Sequence, residues 1–251
     1  KFPEMFTFAD SHGAEFCATG HYARTEKCCD SFILKKALDP AKDQSYVLWN
    51  LTQKELGRLK FPLGIYTKPQ IREIADSAGL ECAHSKDSQD ICFIPDGDYA
   101  SFIEENSASV PPCGNYISED GCVLGRHRGH HRTTLGQGKG LGIALGRRVY
   151  VINKNASDNT VTLGSEERLY KKRVTADSIN IICPGALEKR ERFSAKIRYG
   201  RRENTGYAER TGEDTLTFEF DEAVRAPSPG QSLVIYDGDC VVAGGIIRRA
   251  D

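Results

Sequence analysis

The sequence predicts an α/β region, then a small mixed region, then a C-terminal antiparallel β-barrel. Three observations carry this. Helical and strand periodicities alternate over residues 1–98; glycines and cations crowd residues 99–169; and over residues 170–251 short alternating strands recur about every 8 to 12 residues.

In the first region "EFCATGHYA" reads as a short apolar strand ending in Gly20-His21, and Phe32 to Leu38 forms a second apolar run. A helical stretch begins in "KDQSYVLWNL", and Thr52-Gln53-Lys54-Glu55 has the form of a capping box, in which the hydroxyl and the carboxylate satisfy each other's backbone N–H. "TKPQIREIADSAGL" is the clearest helix. Thr67 caps it, Pro69 suits its first turn, Ile71, Ile74, Ala75 and Ala78 share one face, and Gly79 stops it. Cys28-Cys29 falls in a charged stretch and reads as a surface loop. The middle region starts with a short helix near Tyr99 to Glu105. It continues as "GRHRGHHRTTLGQGKGLGIALGRR", where seven glycines in 24 residues favour loop and turn. Two strands follow, joined by a turn at Asn155 to Asn159. In the last region "FSAKIRYG" alternates Phe193, Ala195, Ile197 and Tyr199 against Ser194, Lys196 and Arg198, which turns Arg198 away from the core. "DTLTFEF" alternates likewise, and a hairpin turns at Asp237-Gly238-Asp239. Five or six such strands make a small barrel.

Composition narrows the class. With 39% apolar and 27% charged residues, and no apolar run longer than the glycine-interrupted Cys240 to Ile247, the chain offers no membrane span and no signal peptide. Nine cysteines, none in a Cys-x-x-Cys pair, fit neither a secreted disulfide framework nor a zinc site, and point to free thiols in a reducing cytoplasm. The net charge of −1 hides a strong asymmetry. Between Asp120 and Asp158 no acidic residue occurs, while Arg126, Arg128, Arg132, Lys139, Arg147, Arg148 and Lys154 do, a block suited to a polyanion such as nucleic acid.

Candidate chemistry is sparse. Gly20 at a strand end lets a ligand approach the backbone, though a lone glycine is more often a turn. Lys42-Asp43-Gln44 offers a cation, a carboxylate and an amide in a row, suited to phosphate or base contacts, or equally to a polar helix start. His127, His130 and His131 lack a nearby carboxylate or cysteine and are read as holding no metal. Cys92, between Ile91 and Phe93, reads on its own as a packed hydrophobe, and Asp87 and Asp90 would raise its pKa rather than activate it. Paired with His84 it would make a cysteine hydrolase, without the local signature such enzymes carry.

Seven segments, in order, change this reading. "ATGHYAR" (18–24), "KALDPAKDQSYVL" (36–48), "FPLGIYTKPQIREIA" (61–75), "KDSQDICFI" (86–94), "TLGQGKGLGI" (134–143), "KIRYG" (196–200) and "PGQSLVIY" (229–236) together resemble the tRNA-specific 2-thiouridylase family, whose members have also been labelled thiouridylate methyltransferases. No methyl-donor motif is evident. The resemblance implies that residues 1–98 are the C-terminal part of an ATP pyrophosphatase-loop domain of the adenine nucleotide alpha hydrolase-like class, residues 99–169 a central domain and residues 170–251 the barrel. It implies adenylation of the wobble uridine C2 oxygen with ATP and Mg, then replacement of that oxygen by sulfur from a persulfide. It carries the persulfide to Cys92 and an ATP contact to Gly20. The tRNA contacts fall on His21, Lys42, Asp43, Gln44, Arg198, Tyr199 and Gln231. The implied partners are tRNA and a sulfur donor, either a cysteine desulfurase or a sulfur relay protein. A rival of another class is a non-catalytic RNA-binding module.

Three departures accompany the resemblance. The family's Ser-Gly-Gly-x-Asp-Ser phosphate loop and its first catalytic cysteine are not among these residues. In the glycine-rich loop Thr133 stands for a tyrosine and Gly138 for an arginine. The chain therefore reads as a fragment expected to bind tRNA measurably and ATP barely, with the apolar face of residues 15–38 partly uncovered.

Overall fold

The computed structural model describes residues 2–84, 94, 98–200 and 202–251. Two compact units emerge. One comprises residues 1–85, 172–223 and 227–251; the other comprises 86–171 with 224–226.

The first unit opens with helix α1 (Phe2–Ser11), whose Phe2, Met5 and Phe6 pack on the core. Strand β1 (Cys17–Ala18) lies parallel to β4 (Leu59–Lys60) in a two-stranded sheet. Between them come the hairpin β2 (Ala23–Cys28) and β3 (Ser31–Lys36), a 3-10 turn at Ser45–Leu48 and helix α2 (Gln53–Arg58). The capping box forms as the spacing requires: Thr52 N–H donates to Glu55 Oε2 at 2.8 Å, and Glu55 N–H donates to Thr52 Oγ1 at 3.3 Å. Cys28 closes β2 and Cys29 forms the hairpin turn with φ of 53°, so the vicinal pair sits in a tight turn rather than a loop. Helix α1 and α2 cover most of the apolar face of residues 15–38, leaving Phe16 and Leu38 exposed.

Helix α3 (Lys68–Ser77) starts and stops where the sequence directs. Gln70 Oε1 accepts from Thr67 N–H at 2.8 Å, and Gly79 turns at φ of +69° so that Leu80 N–H reaches back to Ala75 C=O. Its apolar face is not core, however. No residue of α3 is buried, and Ile74 is 51% exposed. Helical periodicity identifies an amphipathic surface; it does not supply the neighbour that covers it.

The second unit contains α4 (Tyr99–Asn106) and a four-stranded sheet of order β6-β5-β8-β7, formed by β5 (Gly114–Ile117), β6 (Val123–His127), β7 (Tyr150–Asn155) and β8 (Thr160–Gly164). Strands β5 and β8 run parallel and the other pairs antiparallel. The glycine-rich segment forms no strand of this sheet but bonds to β7 at Val151, whose C=O accepts from Gly136 N–H at 2.8 Å and whose N–H donates to Gln137 C=O at 2.9 Å. Leu141, Ile143 and Leu145 alternate onto the Tyr116, Val151, Val161 and Leu163 core while Gly142, Ala144 and Gly146 face outward.

The remaining strands are β9 (Tyr170–Ile181), β10 (Glu191–Lys196), β11 (Asn204–Gly212), β12 (Thr215–Arg225), β13 (Ser232–Asp237) and β14 (Cys240–Ala250). Their order, β13-β10-β11-β12-β9-β14, closes through the β13–β14 hairpin into a six-stranded antiparallel barrel. Strand β14 also pairs with β3 at Cys240 and Lys35, which annexes the N-terminal hairpin to the barrel sheet. Trp49, Leu48, Leu51, Leu34, Val234, Tyr236 and Ile182 then share one core. A Cβ on Gly64 would stand 1.6 Å from the Ala23 carbonyl oxygen, so only glycine lets this loop close on β2.

Candidate functional site

The predicted site residues on unlike segments converge within the first unit. At the end of β1, Thr19 N–H donates to the Lys60 carbonyl, and Thr19 Oγ1 lies 2.9 Å from His21 Nδ1. The His21 ring sits 5.8 Å from Phe2 and 6.3 Å from Phe61, edge-on to the latter. Gln44 is bound to the residue after His21 twice: its N–H donates to Tyr22 C=O at 2.8 Å, and its Oε1 accepts from Tyr22 N–H at 2.9 Å. The two N-terminal motifs, Gly20-His21 and Lys42-Asp43-Gln44, are therefore one backbone-coupled patch.

The barrel meets the same patch. Arg198 follows β10, and its Nη2 donates to Ser228 Oγ at 2.7 Å. It does turn from the Ala195 and Ile197 side of its segment, but it is half-buried and tied down rather than free. Gln231 is held by its backbone: its N–H donates to Ser228 C=O, and its C=O accepts from Ile247 N–H, which leaves the side chain exposed. Next in sequence, Ser232 accepts from Tyr46 Oη through its carbonyl at 2.8 Å and from Trp49 Nε1 through its hydroxyl at 2.9 Å. The Tyr46 ring lies 6.2 Å from that of Tyr199, which is 54% exposed. Burial pushes the Tyr46 phenol up to about 12 against the lowering effect of its bond to Ser232, so it remains a proton donor at neutral pH. Asp43 points inward, its side chain 4% exposed, and accepts from Lys196 Nζ at 3.3 Å.

Sequence reasoning did not find Tyr46, Trp49, Ser228 and Ser232. Their signal is tertiary, the joining of segments near 46 and 230, and no local pattern announces it.

Gly20 has little internal reason to be glycine. Of the described residues only Leu63 comes within 4 Å of where its Cβ would stand, at 3.8 Å. The open backbone at the end of a parallel strand fits the approach of a nucleoside. Cys92 and the side chain of His84 lie outside the described residues. Among the described cysteines, Cys17 is buried, and Cys183 and Cys240 have their thiols pushed up by burial, Cys240 to about 11. Cys28, Cys29, Cys113 and Cys122 are exposed.

In the second unit the histidines are structural. Buried His127 accepts from Gly129 N–H through Nδ1 at 3.1 Å, and its Nε2 lies 3.2 Å from the Asn159 carbonyl. His131 Nε2 and the Arg132 guanidinium share Glu104, at 2.7 Å and at 2.7 and 2.6 Å. Lys154 Nζ donates to Thr133 C=O. Arg126, Arg128, Lys139 and Arg147 stand exposed. A cavity of about 410 Å³ is lined by Gly138, Gly140 to Leu145, and Arg147 to Val149. At Gly138 a Cβ would meet the Tyr150 ring at 2.7 Å, so Tyr150 fills the space that a longer residue there would need.

Three family models match in succession: the tRNA methyl transferase HUP domain over residues 1–96, the tRNA methyl transferase PRC-barrel domain over 101–165, and the aminomethyltransferase beta-barrel domain over 171–247. The tRNA-specific 2-thiouridylase MnmA of Clostridioides difficile is 42% identical over 252 residues, covering 100% of this chain and 70% of the relative. The chain belongs to the tRNA-specific 2-thiouridylase family. Another member of that family, the MnmA of Acetivibrio thermocellus, is 44% identical over 250 residues, covering 99% of this chain and 70% of the relative. The 2-thiouridylase resemblance read from seven short segments thus holds over the whole chain. No helix among the described residues is long and apolar enough to cross a membrane.

Proposed function

We propose that this chain serves in 2-thiolation of a tRNA uridine, at the wobble position, with sulfur carried as a persulfide on Cys92. One observation carries the RNA half of this reading. Residues from three distant segments, His21 to Gln44, Arg198 and Tyr199, and Ser228 to Ser232, meet on one unit through specific hydrogen bonds. A cation, an exposed aromatic ring and an exposed amide side by side suit an unstacked base and its phosphate.

The chemistry follows from the residue types. When bound near Gly20, ATP supplies the adenylyl group that turns the uridine C2 oxygen into a leaving group. The terminal sulfur of a persulfide is a stronger nucleophile than the parent thiol, so Cys92 needs no strongly lowered pKa. Its attack on C2 expels AMP, and a second cysteine thiol then cleaves the S–S bond at Cys92, leaving the sulfur on C2 and a disulfide between the two cysteines. This chain's own contribution is to carry that sulfur and to orient the base. Tyr199 offers a stacking face, Arg198 a guanidinium fixed by Ser228, and Gln231 a side-chain amide. Support for Cys92 comes from the "KDSQDICF" segment and from the raised thiols of Cys183 and Cys240, which are poor competitors for sulfur.

Incubation with a persulfide-loaded cysteine desulfurase, followed by mass spectrometry, tests this. One added sulfur on the peptide containing Cys92, abolished in Cys92→Ser, is the expected result. Sulfur distributed over Cys28, Cys113 and Cys122 but absent from Cys92 would refute it.

A further inference from the structure

A half-buried cluster of four charged side chains, 4% to 24% exposed, gathers about the buried Tyr236 in the first unit. Asp43 Oδ1 accepts from the Ala37 and Ser45 N–H groups at 3.1 Å each, and Oδ2 accepts from Ser45 Oγ at 2.9 Å and Lys196 Nζ at 3.3 Å. Lys196 Nζ is also 3.7 Å from Glu203 Oε1, whose Oε2 accepts from Lys36 Nζ at 2.8 Å and Ser194 Oγ at 2.6 Å. Lys36 adds a bond to the Gly238 carbonyl at 2.7 Å. The ring of Tyr236, fully buried, lies 4.5 Å from Lys36 Nζ and 5.1 Å from Lys196 Nζ, a cation on each count facing its π-system. Two acids and two lysines thus neutralise one another, with every carboxylate oxygen bonded.

The placement of this cluster is informative. Asp43 stands between Lys42 and Gln44. Lys196 ends β10, and Arg198 follows two residues on, where the chain bends away from the strand. Asp43 and Lys196 each stand within two residues of one assigned above to RNA. A buried pair is a poor source of stability but a stringent one, because removing either partner strands the other charge out of water. What it secures is a single register between the loop and the barrel.

We infer that Asp43 and Lys196 are positioning residues: they make no RNA contact, and through Tyr236 and Glu203 they lock Lys42 and Gln44 at a fixed spacing from Arg198 and Tyr199. The inference rests on the reading of this surface as RNA-binding. It differs in moving Asp43 from the contacts to their support.

Two measurements on the whole chain test it. Binding of a tRNA transcript across a salt series separates contact from positioning, since a lost phosphate contact lowers the salt slope by roughly one unit. Asp43→Asn keeps the Oδ1 bonds to Ala37 and Ser45 but aims an amide N–H at Lys196. Both it and Lys196→Met should weaken binding about tenfold with unaltered slope, since tenfold is the scale of a modest loss of preorganisation. The double variant should bind no worse than either single, and Lys196→Arg should recover most of the loss. A slope lower by one in Lys196→Met, or unchanged affinity in both single variants, would overturn the inference. Amide exchange provides the RNA-independent arm: Lys196→Met should speed exchange at Ala37 and Ser45 by about tenfold or more. Parental protection at both amides would remove the brace whatever the RNA result. If the parental chain binds tRNA no better than a homopolymer RNA, the functional reading falls, and the positioning role with it, while exchange still decides the brace.

Discussion

The cations of the first unit and those of the second are used in opposite ways. Around Tyr236, Lys36 and Lys196 each meet a carboxylate and are largely withdrawn from water, with side chains 21% and 15% exposed. Along the glycine-rich segment, Arg126, Arg128, Lys139 and Arg147 are exposed and meet no carboxylate among the described residues. A paired, buried cation fixes distances and contributes nothing to long-range attraction. An unpaired, solvated one attracts a polyanion from a Debye length away, and salt attenuates it. The same residue type therefore supplies geometry in one unit and attraction in the other.

The sharpest way to break this contrast is through backbone closeness. Gly64→Ala forces a methyl into the Ala23 carbonyl and should destabilise the first unit by about 3 kcal/mol or more, read by denaturant unfolding. Gly142→Ala in the second unit faces open space and bears only the cost of φ at +70°, about 1 kcal/mol. Equal effects would mean that the two units are equally tight.

A second test concerns RNA. Tyr199→Ala removes an exposed ring from the fixed surface and should cost about 1–3 kcal/mol of affinity with the salt slope retained. The paired change Arg126→Ala with Arg128→Ala should instead lower the slope by up to about two units. Exchange of those two outcomes would invert the division of labour.

The smallest expected effect is an acid sensitivity of the second unit. Burial holds His127 below its ordinary pKa, so the unfolded chain binds that proton more readily than the folded one. Its contribution is complete above about pH 6.5 and is lost as pH falls through the lowered folded value. Arg132 first, and then His131, hold Glu104 below the usual carboxylate range, so its contribution is present above its ordinary value and fades at lower pH still. Amide exchange in β5 and β8 followed from pH 7 to 4 should show protection falling first in the His127 range. Constant protection down to pH 5 would contradict the burial of that ring.

What could be read from the sequence was what is local. The capping box of Thr52 and Glu55, the Gly79 stop and the Gly238 hairpin each need only neighbours in sequence, and each stands where the pattern put it. Alternation in "FSAKIRYG" located the buried side of that segment but not Ser228, the partner that holds Arg198 thirty residues away. The inward turn of Asp43 was hidden for the same reason: Lys196 is 153 residues distant, and no short-range pattern distinguishes a solvated carboxylate from one with four donors. Helix α3 failed in the other direction, because a period of 3.6 marks a face fit for burial whether or not anything buries it. The proposal of Cys92 as the sulfur carrier rests on family resemblance, since its own neighbours argue for packing.

The pairing of β14 with β3 has a consequence for how the chain is made. Synthesis is vectorial, and the hairpin β2–β3 leaves the ribosome well before its sheet neighbour, residues 240–250. The four-stranded sheet of the second unit, by contrast, is complete once residue 164 has emerged. The later-encoded unit can therefore acquire its native pairing while the earlier-encoded hairpin still carries an open edge, a nascent state that favours chaperone capture of residues 23–36 and penalises any pause in translation before β14.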